Sequence, residues 1–349
     1  MKKYSIFLIA LLSLSACKKE NQTSTTNTLT DSLAPKGTAM DSTAVLGGVA
    51  AGPAISEKDG VYTQNFNLTV GETYPLTTYQ RNLQSVVGPD GKTQKASSNS
   101  TDEMSFTVND FKDGIYDLTI NLIGKTNSQT VDGKTISVDT KGKEPQDPQL
   151  KMMWHMNRAL TGNKLQMKMN SKGDVLSITG FDPIYKKITT AATTLIKDEG
   201  QKQEFLKGFK ASFNENTIKE QFTKNLMVLP KAGAKMGQKW SETENASQDG
   251  SVKLTTHYTL EKVDNGIVTI KVTGGIPKKS DKKTNEGVTN TISSELSQSG
   301  SVKLDQATGW IKNQNVSIKS TQSQTLSDGK QSETMKSEST STIIVNPEK

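Results

Sequence analysis

From Val61 onward the chain alternates. Tyr62, Phe66, Leu68 and Val70 share one parity, and Met104, Phe106 and Val108 repeat it. Tyr116, Leu118, Ile120 and Leu122 follow, then Leu165, Met167 and Met169, then Leu176 and Ile178. A period of two sends successive side chains to opposite faces of a strand, so each run has one apolar and one polar face. Parallel strands buried on both faces read instead as continuous apolar runs. With 32% hydrophobic residues, the chain has too few apolar groups to cover two faces. Lys112-Asp113-Gly114, Val131-Asp132-Gly133 and Lys172-Gly173 separate the runs. Asp-Gly between alternating runs is a hairpin signal, so the strands are expected to be antiparallel.

Between Phe181 and Leu229 the period becomes helical. Asp182-Pro183 reads as an N-cap followed by a first-turn proline. Ile184, Ile188, Ala192 and Leu195 fall on one face. Phe205, Phe209 and Phe213 recur every four residues, as expected of a helix face that covers a sheet. Thr217 and Glu220 suggest a capping box, and Pro230 ends the section. A shorter helix is expected from Pro148, with Leu150, Met153, Trp154 and Asn157 on one side.

The strand pattern then returns in the same order. Met236-Gly237-Gln238-Lys239-Trp240 echoes Val70-Gly71-Glu72-Thr73-Tyr74. Tyr258-Thr259-Leu260 with Asn265-Gly266 echoes Phe106-Thr107-Val108 with Asp113-Gly114. Val302-Lys303-Leu304 with Gly309 echoes Met167-Lys168-Met169 with Gly173. The expected fold is therefore α+β and mostly antiparallel β. Two similar curved β-sheets, suggestive of internal duplication, would be joined by a helical middle section. The first β half spans 59–180 with a short helix near 148–160, the helical connector 181–230, and the second β half 231–349. Ser/Thr/Lys-rich inserts near 277–291 and 322–341 read as extended hairpin ends.

The amino terminus concerns address. Lys2 and Lys3 precede an apolar run from Tyr4 to Leu14, then Leu14-Ser15-Ala16-Cys17. This is the layout of a signal peptide over 1–16, too short to span a bilayer, which takes about 20 apolar residues. Leu-Ser-Ala-Cys resembles the lipobox of bacterial lipoproteins. That resemblance implies cleavage before Cys17 and lipid attachment, palmitate included, at Cys17. An ordinary cysteine beside a cleavage site, or a stalled membrane anchor, are the competing readings. Cys17 is the only cysteine, so an internal disulfide and a zinc site of several thiolates are excluded. Residues 17–58 are rich in Ser, Thr, Gly and Ala and read as a lipid-anchored disordered tether. About 40 such residues span roughly 35 Å. Residue 18 is lysine; in the best-known sorting rule an aspartate there retains a lipoprotein at the inner membrane. The expected location is thus the cell envelope, at the outer membrane, on its periplasmic face or the cell surface.

The body resembles a bacterial family, the domain of unknown function 6263. The resemblance rests on Gly71 to Tyr74, Asp113-Gly114, Lys172-Gly173-Asp174-Val175-Leu176-Ser177-Ile178-Thr179-Gly180, Pro230, Gly237 to Trp240, Asn265-Gly266 and Thr308-Gly309-Trp310. It covers most of Val61 to Val345 and implies no established activity, so no functional residues carry over.

No catalytic motif appears. The two histidines, His155 and His257, stand apart, with no Gly-x-Ser-x-Gly elbow, His-Glu-x-x-His pair or phosphate loop. Asp110, Asp113 and Asp117 lack the spacing of a calcium loop. No cofactor or metal is expected. The formal charge of +7 is interspersed, so nucleic acid is not an expected partner. Met152, Met153, Trp154, Met156, Met167 and Met169 lie close in sequence. Methionine adapts to irregular apolar surroundings, so these six are candidate ligand-lining residues as well as candidate core. Three functions are carried forward. The first is a non-enzymatic, lipid-anchored module binding an apolar ligand or envelope component, such as an envelope protein. The others are a structural or protein-interaction module, and a carboxylate-dependent hydrolase of envelope glycans.

Overall fold

The computed structural model describes residues 52–131, 133–247 and 250–348. Cys17, the signal peptide and most of the expected tether lie outside them, as does Asp132 of one expected turn. The body begins before the boundary of 58. β1 (Ile55–Lys58) pairs with β2 (Val61–Gln64), and Ala54 and Ile55 are 5% and 0% exposed. A four-residue strand with one large apolar side chain leaves no periodic trace, so the sequence reads on as tether.

The first half continues with β3 (Thr73–Val87), β4 (Thr93–Lys112), β5 (Ile115–Val131), β6 (Lys134–Asp139), α1 (Pro148–Leu160), β7 (Lys164–Asn170) and β8 (Val175–Thr179). Three helices follow, α2 (Phe181–Leu195), α3 (Glu199–Ser212) and α4 (Glu215–Leu226). The second half holds β9 (Ala234–Lys235), β10 (Lys239–Asn245), β11 (Lys253–Asp264), β12 (Ile267–Asn285), β13 (Val288–Asp305), β14 (Ile311–Ser327) and β15 (Ser332–Val345). The fold is α+β and mostly antiparallel β, but the two expected sheets are one. Twelve strands run β10-β11-β12-β13-β14-β15-β3-β4-β5-β7-β8, with β6 on β5, beside a small sheet β1-β2-β9. β15 causes the merger. It pairs with β14 on one side, and on the other Lys336 to Val345 pair with Thr78 to Val87 of β3. Each half would otherwise expose a long unpaired edge there, a template for aggregation.

The halves share detailed hydrogen bonding. Gly71 N donates to Val108 O (2.8 Å) and Val108 N to Glu72 O (3.0 Å); Gly237 N donates to Leu260 O (2.8 Å) and Leu260 N to Gln238 O (3.2 Å). Bulges fall at Val108/Asp110 and Leu260/Lys262. Asp113-Gly114 and Asn265-Gly266 close the hairpins with positive φ at both residues, the geometry that matches strand twist. Ser171 N donates to Gly114 O, and Gln306 N to Gly266 O. Each of those carbonyl-side residues then accepts from the small sheet's chain, Ser171 O from Phe66 N and Gln306 O from Ile55 N.

The long strands are apolar at one end only. Phe106, Val108, Tyr116, Leu118 and Ile120 are buried, as are Val268, Ile270, Val302 and Leu304. The opposite ends of β3–β5 and β12–β15 are mostly Ser, Thr, Asn, Gln and Lys, with scattered apolar residues such as Leu83, Val288 and Leu326 that are exposed. Bulges at Glu103/Met104 and Ile276/Lys279 separate the regimes. Gly275 sits at this line with φ 147°, where a Cβ would meet Leu296 O at 1.9 Å.

Helices cover the apolar end. Ile184, Ile188 and Ala192 of α2, Phe209 of α3 and Ile218, Phe222 and Leu226 of α4 are buried. Each large side chain so buried contributes roughly 2 kcal/mol. Two starts differ from expectation. α2 begins at Phe181 behind left-handed Gly180, with no side-chain cap, so Asp182 lies in its first turn. α4 is capped by Asn214, whose Oδ1 accepts from Thr217 N, so Thr217 is inside the helix. An asparagine cap stands one turn ahead of the expected box and satisfies the same orphan amides. Buried Gln64 joins the layers. Its Nε2 donates to Leu226 O and Gly309 O, and its Oε1 accepts from Val228 N and Leu229 N.

Candidate functional site

α1 is set by local chemistry. Asp147 Oδ1 accepts from Gln149 N and Leu150 N (2.9 and 3.1 Å), and Pro148 takes a position whose N–H would be orphaned. The helix then docks on the sheet through side chains. Asn157 Nδ2 donates to Asn127 Oδ1 on β5 (3.0 Å), and Trp154 Nε1 to Asp139 O at the end of β6 (3.1 Å). Arg158 Nη1 donates to Thr140 O (2.9 Å), with its guanidinium 5.5 Å from the Trp154 ring centroid. α2 packs alongside α1.

Between α1 and α2 runs an open groove of about 520 Å³. Its apolar floor is Ala159, Ala191 and Leu195. Thr190 and Thr194 also line it, but their hydroxyls donate to Lys186 O and Thr190 O (3.0 Å each), within the helix itself. The rim carries His155, Arg158, Lys186 and Lys187. Lys187 Nζ donates to Asn163 Oδ1 (2.7 Å). Among the described residues, Arg158, Lys186 and Lys187 have no carboxylate within ion-pair distance. The nearby acid, Glu144, lies 2.5 Å from Lys151 Nζ and 3.3 Å from His155 Nε2. The Lys151 hydrogen bond holds its carboxyl below the usual range. The groove thus offers fixed positive charge above an apolar strip.

The six candidate lining residues divide. Met167 and Met169 are fully buried on β7 within the central core. Met152, Trp154 and Met156 are half-buried on α1, and Met153 is 37% exposed. Met152 shares the helical stripe of His155 and Ala159, three and seven residues on. Cys17 lies outside the described residues. His257 Nδ1 meets Ser241 Oγ at 2.7 Å on an exposed strand face. Asp110 and Asp117 are cross-strand partners on an exposed hairpin, where Asp117 accepts from Asn109. Among the described residues no three His, Cys, Asp or Glu side chains are grouped to hold a metal, and no helix is long and apolar enough to cross a membrane.

The groove's cations escaped the sequence reading because Arg158 and Lys186-Lys187 are distant in sequence and look like ordinary helix-surface charge. Tyr258 of the repeat is stacked on Trp240 with centroids 5.5 Å apart. Burial pushes its hydroxyl pKa far up, and Glu242 and Glu244 reinforce this.

The profile of one known family matches residues 113–311, from the Asp113-Gly114 turn through α1 to α4 and on to Ile311. The chain belongs to the family of unknown function DUF6263. The groove therefore lies within the DUF6263 region. No curated protein matches the chain. Among solved structures, a lipovitellin structure titled for lipid–protein interactions is similar at 12% identity and TM-score 0.35, covering 80% of this chain and 25% of that one. The chain thus spans a quarter of that protein's length. Pseudomonas aeruginosa OpdQ aligns at 4% identity and TM-score 0.15, covering 76% and 69% of the two chains. An outer membrane channel from Pseudomonas putida F1 aligns at 8% and 0.18, covering 83% and 99%. Scores this low carry no argument about fold or ligand.

Proposed function

We propose that this member of DUF6263 is a non-enzymatic binding module of a bacterial cell envelope, anchored through acylated Cys17, that takes an apolar ligand along its helices. The observation that carries the reading is the apolar-floored groove between α1 and α2. A ligand inside the sheet is disfavoured, because aromatic rings fill that space. Phe106 meets Phe222 at 5.2 Å and Trp310 at 5.1 Å between centroids, and Trp310 meets Tyr74 at 5.5 Å. Native mass spectrometry of the protein purified from envelopes tests this. A co-purifying lipid-sized adduct, lost when Thr190→Trp obstructs the groove, is the expected result. A protein that carries no adduct and binds no apolar probe rejects it.

The anchor rests on the lipobox resemblance, and outer-membrane placement on Lys18. Replacing Cys17 by serine is expected to abolish palmitate labelling and release the protein from membranes. The alternative of a protein-interaction module is favoured by one feature, the long, mostly polar strand ends, which contribute no buried apolar residue to the core.

We also infer that the halves arose by duplication and that the sheet is curved. The matched bulges, turns and backbone bonds support the first. For the second, α4 reaches both ends of the strand order. Lys219 Nζ donates to Leu176 O and Glu215 Oε1 accepts from Ile178 N on β8, while Lys224 Nζ lies 3.7 Å from Glu244 Oε1 on β10. Laid flat, eleven strands would separate those edges by about 48 Å, but Lys219 and Lys224 are about 7.5 Å apart along the helix.

A further inference from the structure

The cations and the apolar strip of the α1–α2 groove are adjacent, and together they specify a class of ligand. We propose that the groove binds a single-chain anionic amphiphile, its headgroup among Arg158, Lys186 and Lys187 and its chain over Ala159, Ala191 and Leu195. The assignment rests on the apolar-ligand reading above and names the chemistry of that ligand.

Charge complementarity is the first argument. Three permanent cations line one groove without a carboxylate partner among the described residues. An anion seated in the groove meets positive charge that no acid among the described residues neutralises. Two of them are also pre-positioned. Arg158 is fixed by Thr140 O and the Trp154 ring, and Lys187 by Asn163 Oδ1. Each of those tethers spends one N–H, and the remaining guanidinium and ammonium donors are left for charge-assisted bonds to an oxyanion. A side chain already held loses less freedom on binding.

The second argument is the floor. A free inorganic anion would use the rim and leave the floor wet. The Thr190 and Thr194 hydroxyls are bonded to their own helix, so they offer the ligand's tail no competing polar contact. At about 520 Å³ the groove falls within the range of small-molecule sites, roughly 300–1,000 Å³.

The test is calorimetric titration of the full chain carrying Cys17→Ser, so that its own acyl groups do not compete. The probes are decyl phosphate, decyl maltoside and inorganic phosphate, all in the monomeric range. One decyl phosphate is expected to bind per chain, with affinity rising about fourfold per added methylene in a homologous series. Arg158→Gln and Lys186→Gln should each weaken it about tenfold. Lys207→Gln, on the exposed side of α3, should leave it unchanged, and Thr190→Trp should abolish it. If decyl maltoside binds as tightly as decyl phosphate and is blocked by Thr190→Trp, the anionic assignment falls while the apolar-ligand reading stands. If neither amphiphile binds, both fall. Inorganic phosphate binding as well as decyl phosphate also overturns the proposal.

Discussion

Gln64 shows how much one side chain can hold. Its amide joins β2, the end of α4 and the Thr308-Gly309 turn through four bonds. Gln64→Leu keeps the volume but strands two amide N–H groups and two carbonyls, each loss costing about 1 kcal/mol or more. A destabilisation of about 3 kcal/mol in urea unfolding is expected; a change near zero would mean water replaces the amide. Asp174 gives a pH-dependent counterpart. Hydrogen bonds from Asn170 and then Lys231 hold its carboxyl below its ordinary value of 3.8. A depressed folded pKa stabilises above the unfolded value and is lost as pH falls through the folded one. Asp174→Asn should therefore lower the Tm at neutral pH, with the difference closing below pH 3.8. The role of Gln64 was not legible in the sequence, because its partners come from segments more than 160 residues away. Gly71, Gly237 and the Asp-Gly and Asn-Gly turns were legible, because their chemistry is local.

At the scale of elements, strands could be read wherever one face is buried and the other wet. Past the bulges at Glu103/Met104 and Ile276/Lys279 apolar residues such as Val288 and Ile292 are sparse, so the period disappears and the full lengths of β4, β12 and β13 left no signal beyond Ser/Thr richness. The helices were legible from their spacing, and α1 starts at Pro148 as expected, but the starts of α2 and α4 were not legible, since Gly180 and Asn214 lie outside the expected cap patterns. The groove needed tertiary placement of α1 against α2, which no spacing encodes. The polar hairpin end is dispensable to the core. None of residues 280–293 is buried, so replacing them by Asn-Gly between Lys279 and Ser294 should cost at most about 1 kcal/mol. A large loss in thermal unfolding would show that these ends carry stability. Gly275→Ala, at the line between regimes, should cost about 3 kcal/mol or more, because the new methyl meets the β13 backbone.

Across the whole molecule, one core serves both halves, with Phe106 of β4 against Phe222 of α4 and Trp310 of the second half. Merged sheet and shared core predict a single unfolding step. Single-tryptophan variants that retain Trp154 or Trp240 should report coincident urea midpoints, and midpoints that separate would mean the halves fold independently. The two-sheet expectation failed because β15 has no counterpart in the first half, so nothing in the repeat foretold the strand that joins them.

The entry point of the chain sets a direction. Ile55 is bonded to Gln306, and Gln306 to Gly266, at the hairpin end of β12. The other end of that strand turns at Glu286-Gly287, nineteen strand residues away, or about 60 Å. The chain therefore joins the body at one end of the long strands, and the hydroxyl-rich turn at Glu286-Gly287 lies at the opposite end from Ala54.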